Sequence, residues 1–588
     1  MPTPISFAAP GFETLQTTSG VENLAPYVNK PQYASLSVAE NCRFIREGGC
    51  RTRNGFEQKA DLALDQPVDD LETHPLFNVL FAKSSTKIEQ SLNGTTFYDI
   101  GLTQTAAEKT YLFPFRKDMF AINKTDSGVR IAISTTATAL VAGVSTSLTV
   151  RTGDGAQFGT SGTIYIEGDA ITYTARTGDV ITVTAATIAA NHAIGTVVTE
   201  TSTPSGFPKG SCMAELEGSA IVGGVSADPT ALYWSEPSSP GSPQLFYSFP
   251  ATYVKSLPSD ITALRSGNSV LLIGMKKGIQ YSTGFDIQTG VLLTFPLSDV
   301  LGIPGARCIV KMDDEFAILT NEGRILPVAQ TDAGFRIIQN PDDPKNDMDY
   351  AVQGYIQRNI DRQTLDENFI HYDPGTRELS AVIRMKTGIT REFVYQRDIR
   401  AWSNDTGKNF RCKALFKGRT YAGDDGDSFI HLDNEDWTDN GAPINVRLVT
   451  GVMRAGRRGI TSDWLMHTFG GLLNATGEFY MRVVIDGEIV ENKQYKAAPD
   501  GGGDSLQEYM LMDVDTGNPI GSGQIGSEQI GSGGSVADAF AFIVPYEFGM
   551  EGERAQIEWE TTDEGTIFEL RFFELSGETE GETIRTAT

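Results

Sequence analysis

The sequence predicts a mainly β protein: a β-propeller with an inserted small β-domain and a C-terminal β-sandwich-like domain. Three observations carry this prediction. Residues 216–290 form a series of short apolar runs, with turns every few residues and no helical stretch between them. Residues 136–202 are rich in Thr, Ala and Gly, and the alternating runs after residue 442 are longer. Short strands in series build antiparallel sheets in sequence order, and radial repetition of such sheets is a β-propeller.

Composition agrees with a turn-rich β protein of several units. The 588 residues suffice for roughly three or four domains, or fewer if one is a large all-β unit. Hydrophobic residues make up 40% of the chain, which is enough for a substantial core, and there are 61 glycines. The net charge of −27 makes adhesion to duplex DNA or to an anionic membrane unfavourable. The plain interpretation of this charge is solubility, but an acidic surface also repels a passing nucleic acid and so does not retain it.

The chain carries no recognisable export or membrane signal. The N-terminus lacks a basic segment followed by a long apolar run, and no window approaches about 18 uninterrupted apolar residues. Five scattered cysteines, none in a C-x-x-C pair, form neither a disulfide framework nor a zinc site; they are Cys42, Cys50, Cys212, Cys308 and Cys412. We therefore expect a soluble intracellular product with reduced thiols.

Residues 1–58 are predicted to form an N-terminal arm followed by a hairpin. Five prolines in the first 31 positions favour an extended arm. Two short strands around Gly48 and Gly49 predict the hairpin. Arg51 and Arg53 could bind phosphate, but the preferred interpretation is charge on the exposed face of an edge strand.

Residues 59–135 and 203–441 are predicted to form the propeller. The clearest hairpin runs from Lys87 to Ile100 through Asn93-Gly94. Further strand pairs are predicted at 111–115 with 119–122 and at 315–320 with 324–326, and residues 231–235 and 261–264 are predicted as blade core. The polar stretch 342–365 is the best helix candidate.

Residues 136–202 are predicted to be an inserted small β-domain with strands at 162–166, 170–174 and 180–185. Its Thr-rich strands could bind a carbohydrate or a capsid surface, but surface decoration is the plainer interpretation. Residues 442–588 are predicted to be a C-terminal β-rich platform domain with strands at 445–451, 464–473 and 478–486. Within it, residues 513–535 contain a repeated I-G-S-x-Q unit and are predicted to be a flexible loop.

No residue pattern points to catalysis, a cofactor or a metal. Asp424, Asp425 and Asp427 beside Asp433 could form a calcium loop, but they lack the context of an EF-hand, and a blade turn explains them. The five histidines are widely separated: His74, His192, His371, His431 and His467. With 75 acidic residues, a glycosidase-like carboxylate pair stays an open alternative, although no spacing singles one out. We predict no enzyme activity, no cofactor, and no catalytic, cofactor-binding or metal-binding residues.

Several motifs, taken in order, resemble one family. Residues 37–57 contain Asn41, Gly48-Gly49, Arg53 and Gly55-Phe56 in the order found in an opening segment of phage tail proteins. The hairpin at residues 87–101 follows, and then Y-W-S, D-I-T-A-L, L-L-I-G and I-Q-Y-S-T-G between residues 233 and 284. Residues 301–305, 421–426 and 438–444 add L-G-I-P-G, Y-A-G-D-D-G and T-D-N-G-A-P-I. The chain is similar, over roughly residues 37–135 and 203–490, to the tail nozzle proteins of short-tailed double-stranded DNA bacteriophages. These are also called tail-tube hub or stabilisation proteins.

The resemblance implies a virion structural protein, made in the host cytoplasm and located in the phage tail. It implies a homohexameric ring below the portal and adaptor, with one propeller per subunit outside a channel for DNA ejection. The implied partners are the tail adaptor, tail fibres or the tail tip, and genomic DNA that passes without sequence-specific binding; no membrane insertion is implied. No catalytic residues carry over. The alternative is a receptor- or glycan-binding tail adhesin that uses the insert or the I-G-S-x-Q loop, and a propeller hydrolase is a third possibility.

Overall fold

A computed structural model describes most of the chain. The described residues are 5–6, 36–44, 50–62, 66–105, 109–204, 206–237, 248–267, 269–286, 289–331, 334–339, 347–426, 429–433, 437–450, 462–474, 477–496, 504–505, 539–552, 554–561 and 568–579. The predicted loop 513–535 and the predicted arm, apart from Ile5 and Ser6, lie outside these residues.

Five strands precede blade 1 in the chain. They are β1 (Ile5–Ser6), β2 (Leu36–Glu40), β3 (Cys42–Phe44), β4 (Cys50–Thr52) and β5 (Phe56–Asp61). The pairing of β3 with β4 confirms the predicted N-terminal hairpin. β5 crosses the predicted boundary at residue 58, and it belongs to a blade.

The first three blades follow in chain order. Blade 1 contains β6 (Val68–His74), β7 (Val79–Ser84), β8 (Lys87–Ser91) and β9 (Tyr98–Thr103). Blade 2 contains β10 (Tyr111–Phe115), β11 (Asp118–Ile122), β12 (Val129–Thr135) and β17 (Val197–Ser202). Between β12 and β17 the chain forms the insert strands β13 (Ser147–Thr149), β14 (Gly162–Ile166), β15 (Asp169–Thr177) and β16 (Val180–Val183). Blade 3 contains β18 (Cys212–Leu216), β19 (Ser219–Gly223), β20 (Ala231–Trp234) and β21 (Val254–Ser256).

Four more blades complete the propeller. Blade 4 contains β22 (Ile261–Gly267), β23 (Val270–Met275), β24 (Ile279–Phe285) and β25 (Leu292–Ser298). Blade 5 contains β26 (Ile309–Met312), β27 (Glu315–Leu319), β28 (Ile325–Thr331) and β29 (Gly334–Ile337). Blade 6 contains β30 (Phe369–Asp373), β31 (Glu378–Arg384), β32 (Thr390–Gln396) and β33 (Ala401–Asp405). Blade 7 contains β34 (Phe410–Phe416), β35 (Arg419–Asp424), β36 (Phe429–Asp433) and the N-terminal strand β5.

The seven four-stranded blades of the described chain form a closed ring. The first strand of each blade packs against the first strand of the next, and β34 of blade 7 packs against β6 of blade 1. Apolar side chains fill the space between neighbouring blades; Leu71 of blade 1 shares a buried cluster with Phe416 of blade 7. Trp234 and Leu264, predicted as blade core, are both buried. The predicted β-propeller is therefore confirmed.

The predicted helix is present and short. Helix α1 (Tyr350–Asn359) lies between blades 5 and 6 and occupies the middle of the predicted stretch 342–365. It packs Val352 and Ile356 into the same core as blades 4 to 6. Single 3₁₀ turns occur at Gly155–Gln157, Ala185–Thr187 and Leu365–Glu367. No helix among the described residues is long and apolar enough to cross a membrane.

The insert grows from the third strand of blade 2. Its strands β14, β15, β16 and β13 extend the blade's sheet beyond β17, so that eight strands are continuous. Strand β17 lies inside the predicted insert 136–202 but pairs with β12 along six residues, and it is thus the outer strand of blade 2. The insert's own core includes Ile164, Ile171 and Ile181 and is shared with Ala132 of the blade.

Two further sheets form the C-terminal domain. Their strands are β39 (Arg447–Thr450), β40 (Ser462–Asn474), β41 (Glu478–Ile485), β42 (Glu488–Lys496), β43 (Asp504–Ser505), β44 (Ala539–Gly552), β45 (Ala555–Thr561) and β46 (Phe568–Thr579), together with β1 to β4. The short strands β37 (Thr438–Asp439) and β38 (Ala442–Pro443) instead extend the sheet of blade 7 beyond β5. The first sheet continues from β33 of blade 6 in the order β2, β39, β45, β41, β42, β43. The second has the order β3, β4, β46, β40, β44, and β1 also pairs with β46. Phe479 of β41 packs on Phe568 of β46 with ring centroids 4.8 Å apart, so the two sheets face each other as a sandwich.

Candidate functional site

The aspartates that could have formed a calcium loop contact basic residues instead. Asp425 forms ion pairs with Arg384 and, at 3.4 Å, with Arg411. Asp424 lies 3.4 Å from the ring of His431, and Asp427 is outside the described residues. Among the described residues, no group of three or more His, Cys, Asp or Glu side chains is arranged to hold a metal ion.

The histidines lie in separate places. His74 is buried in blade 1, and burial lowers its pKa to about 4. His192 bridges Glu167 and Asp169 in the insert, at 2.9 and 3.0 Å. His431 packs edge-on against Phe56 in blade 7. His371 lines the centre of the propeller, and His467 lies in β40.

All five cysteines are buried. In the first hairpin, Cys42 is opposite Thr52 and Cys50 is opposite Phe44, so the two thiols are not cross-strand partners. Burial raises the pKa of both Cys212 and Cys308 to about 12, and such thiols are poor nucleophiles at neutral pH.

The centre of the propeller contains a cavity of about 710 Å³, which we call the channel; this name refers only to the cavity inside the propeller of one chain. The first strands of six blades line it, all except blade 3. The lining holds five Lys or Arg side chains against three Asp or Glu, and it is therefore net positive in a chain of net charge −27. Its volume falls within the usual range of ligand pockets.

One arginine neutralises the acidic side of the channel. The Arg307 guanidinium donates to Asp70 at 2.5 and 3.1 Å and to Glu72 at 2.8 Å. It also donates to the carbonyl oxygen of Leu112, at 2.7 Å, and lies over the ring of Phe113. Both carboxylates therefore share one guanidinium as an ion-pair partner.

A second cluster is a network of buried charges that we call the clasp: Arg43, Arg53, Lys408 and Lys413 with Glu378, Glu392, Asp405 and Asp439. Asp405 is at its centre and accepts from Arg43 at 2.8 and 2.9 Å and from Lys408 at 3.0 Å. Arg53 donates to Asp439 at 2.7 Å and lies 3.6 Å from Asp405. These contacts join the N-terminal hairpin, which is part of the second sheet of the C-terminal domain, to blades 6 and 7 and to β37 at the edge of blade 7.

The clasp corrects the interpretation of Arg53. That side chain was interpreted as charge on an exposed strand face, but it is only 1% exposed, so the interpretation was wrong. The reason is that its carboxylate partners, Asp405 and Asp439, are more than 350 residues away in the chain, which no local pattern shows. Asn41, with φ 55°, completes the joint: its side-chain Oδ1 accepts from Nε of Arg53 at 3.2 Å, and its side-chain amide donates to Thr406 and to the carbonyl oxygen of Asn445.

The clasp also shifts the protonation of its carboxylates. Burial by itself would raise the pKa of Asp405, but Arg43 and Lys408 hold it well below the usual value. Likewise, Lys413 and Lys408 overcome the effect of burial and lower the pKa of Glu392 to about 2. The pKa of Glu378 is raised because burial outweighs the attraction of Arg43. Asp405 and Glu392 are therefore charged over the whole neutral range.

The second sheet of the C-terminal domain contains the three longest strands of the described chain. β40, β44 and β46 have 13, 14 and 12 residues, and β40 lies between the other two. At about 3.3 Å per residue, such strands extend roughly 40 Å. Within the described residues β44 pairs only with β40, so its other side is an open edge.

No family model matches the chain, and no curated protein matches it. Among solved structures, the chain is similar to the computationally designed protein Ika8, with 8% identity and a TM-score of 0.33 over 64% of this chain and 99% of that one. It is also similar to the extracellular domain of a hybrid two-component system from B. thetaiotaomicron, with 10% identity and a TM-score of 0.37 over 76% of this chain. The chain matches about half of that domain, 48% of its length. At these TM-scores neither likeness bears on function.

Proposed function

We propose that this protein is a structural subunit of a phage tail nozzle, which assembles into a ring and extends the DNA ejection channel below the portal and adaptor. The observation that carries the proposal is the place where the resemblance motifs meet. Arg53 and Phe56, from the motif at residues 37–57, contact Asp439 of the motif at residues 438–444. Sequence elements almost 400 residues apart thus build one joint between the propeller and the C-terminal sandwich.

The joint admits little variation in shape. A Cβ atom on Gly55 would lie 1.9 Å from the carbonyl oxygen of Thr438, so only glycine fits there without movement of the backbone. Phe56 packs against Phe410 with ring centroids 5.1 Å apart. Rigid placement of one domain on another is what an assembly subunit needs, because ring closure depends on the angle between its contact surfaces.

The open edge of β44 supports assembly. A long strand with one free side presents backbone N–H and C=O groups that can pair with another chain. When such a contact joins two different surfaces, repetition around an axis closes a ring. The strongly acidic chain would give this ring a wall that repels DNA phosphates and so lets the genome pass.

The mass of the particles that the full-length protein forms in solution tests the role of β44. Pro545 of β44 has no N–H to donate, and proline in a strand is tolerated where the nitrogen faces away from the ladder. Ile543 has the same parity in the strand, so Ile543→Pro removes a further outward donor with little loss of pairing to β40. We expect ring-sized particles of the wild type, alone or with the adaptor, and predominantly monomers of the variant with an unchanged unfolding midpoint. Equal particle masses for the wild type and the variant would show that β44 takes no part in the assembly contact.

A second candidate function, a glycan-binding adhesin, is favoured by one specific cavity. About 490 Å³ lies between the insert and blade 2, lined among others by Tyr165, Gln157 and Ser161. An aromatic ring, an amide and hydroxyl groups are the side-chain types that bind sugars through stacking and hydrogen bonds.

Removal of the insert distinguishes the two functions. Thr135 and Val197 are direct cross-strand partners, so an Asn-Gly turn in place of residues 136–196 closes a hairpin in blade 2. If the insert only decorates the surface, particles carrying this variant assemble and adsorb to host cells as the wild type does. Loss of adsorption by fully assembled particles would instead assign the adhesin function to the insert.

A further inference from the structure

The channel contains two cations that its own carboxylates do not neutralise. Arg265 on β22 and Lys311 on β26 both line it. Within the described part of the chain, neither side chain has a hydrogen bond or an ion pair. The three acidic residues of the lining are engaged elsewhere: Arg307 holds Asp70 and Glu72, and Asp313 pairs with Arg397 and Arg377.

The backbone of blade 4 brings these two cations together. Arg265 and Gly267 project from the same face of β22, because side chains alternate along a strand. A Cβ atom at position 267 would lie 2.9 Å from Cδ of Lys311, so the lysine stem occupies the space that glycine leaves open. Lys311 therefore crosses from blade 5 to blade 4 and lies beside the strand that carries Arg265.

The surroundings keep the charge of this pair unbalanced. Burial lowers the pKa of Arg265, and the attraction of Glu72 is opposed by the repulsion of Arg307. His371, also on the channel wall, has a buried Nε2 atom without a hydrogen-bonding partner. Burial and then Lys413 lower its pKa to about 4, so at neutral pH the ring is uncharged and can donate one hydrogen bond.

We propose that the propeller channel binds a small oxyanion, of the phosphate or carboxylate class, between Arg265 and Lys311. A guanidinium presents a planar fork of donors that matches two oxygens of such an anion, and an ammonium adds a point charge. The anion offsets the repulsion between the half-buried Arg265 and the exposed Lys311. The site lies within one chain and does not depend on ring assembly or on the proposed role in the tail.

Calorimetric titration of the full-length protein with inorganic phosphate tests the site, with citrate as the carboxylate probe. Three variants are compared with the wild type: Arg265→Gln/Lys311→Gln, the surface control Arg362→Gln/Lys277→Gln, and Gly267→Ala. The control removes the same two charges from exposed positions outside the channel. Circular dichroism and unfolding midpoints check that each variant is folded.

We expect one phosphate per chain in the wild type and in the control, and at least tenfold weaker binding in Arg265→Gln/Lys311→Gln. Gly267→Ala should also weaken binding, because its methyl group would lie 2.9 Å from Cδ of Lys311 and 3.0 Å from the ring of Phe316, and the exposed lysine moves more easily than the buried ring. Preference for citrate over phosphate would assign the carboxylate class. The proposal is overturned if the wild type takes up neither probe at millimolar concentration, or if the control loses as much affinity as the channel variant.

Discussion

At the scale of single residues, the clasp shows how much depends on a few buried charges. Each of its four cations faces a carboxylate from a different element, and Asp405 alone contacts three of them. A complete buried network of this kind contributes modestly to stability in total, but the loss of one member leaves an uncompensated charge, which is costly. The clasp therefore fixes the geometry of the joint more than it adds net free energy.

Replacement of Arg53 tests the clasp directly. Arg53→Ala leaves Asp439 without its principal partner and removes one cation from the surroundings of Asp405, so the free energy of unfolding should fall by on the order of 3 kcal/mol. The matched control is Arg51→Ala, two positions earlier, whose guanidinium lies 6.0 Å from the ring of Trp437. We expect less than about 1 kcal/mol there. Denaturant unfolding measures both values, and equal losses would contradict the buried role of Arg53.

The pH dependence of stability tests the charge of Glu392. The pKa of Glu392 is about 2 in the folded protein, whereas the usual value for a glutamate is 4.5. Its ionisation therefore stabilises the fold above pH 4.5. That contribution disappears as the pH falls from 4.5 towards 2. We expect the difference in unfolding free energy between wild type and Glu392→Gln to be largest at neutral pH and to shrink through this window. Glu322→Gln, at an exposed position, is the matched control for the loss of one carboxylate. A difference between wild type and Glu392→Gln that is independent of pH would contradict the assignment.

At the scale of elements, local patterns predicted most strands correctly. The β8–β9 hairpin, the β10–β11 pair and the insert strands β14 to β16 follow from alternation and turn residues, which are encoded locally. Two placements do not follow from such patterns. β5 completes blade 7 from the opposite end of the chain, and β17 returns to blade 2 after the insert. Non-local pairing of this kind depends on the partner strand rather than on the strand's own sequence.

Sequence patterns did not predict the channel and the clasp for the same reason: their residues come together through non-local contacts. Arg265 and Arg307 stand in otherwise apolar first strands or just before them, in ITALRSG and GARCIV, and a lone charge in such a strand is the one signal available. Its meaning depends on which other blades face it across the ring. The acidic turn at Asp424 and Asp425 drew attention because its residues are adjacent in sequence, yet Asp424 accepts from the N–H of Gly426 and Asp425 pairs with Arg411.

Blade closure can be tested at Gly55, just before β5. Gly55→Ala places a methyl group against the backbone of Thr438, so either β5 or β37 must shift. We expect a loss of at least about 2 kcal/mol in unfolding free energy. In Gly375→Ala the new methyl group would meet only the Asp373 carboxylate, at 3.1 Å, and that side chain can move. Thermal and denaturant unfolding compare the two variants; a neutral Gly55→Ala would show that the joint is looser than the structure indicates.

At the scale of the whole molecule, the propeller and the sandwich form two differently built parts. The propeller is closed on itself, because β5 joins the N-terminal segment to blade 7 and β34 packs on β6. The sandwich is open, because its long sheet ends at β44 in the described chain. A closed part resists pairing with other chains and an open edge invites it. We therefore expect assembly contacts to concentrate on the C-terminal domain, with the propeller outside.

Electron microscopy of the purified full-length protein, alone and mixed with the portal and adaptor encoded in the same genome, tests the proposed function most directly. The account predicts closed rings whose axial channel is wide enough for a DNA duplex, bound to the adaptor through one face and with the propellers at the periphery. Particles that stay monomeric at every concentration, with and without the adaptor, would contradict it.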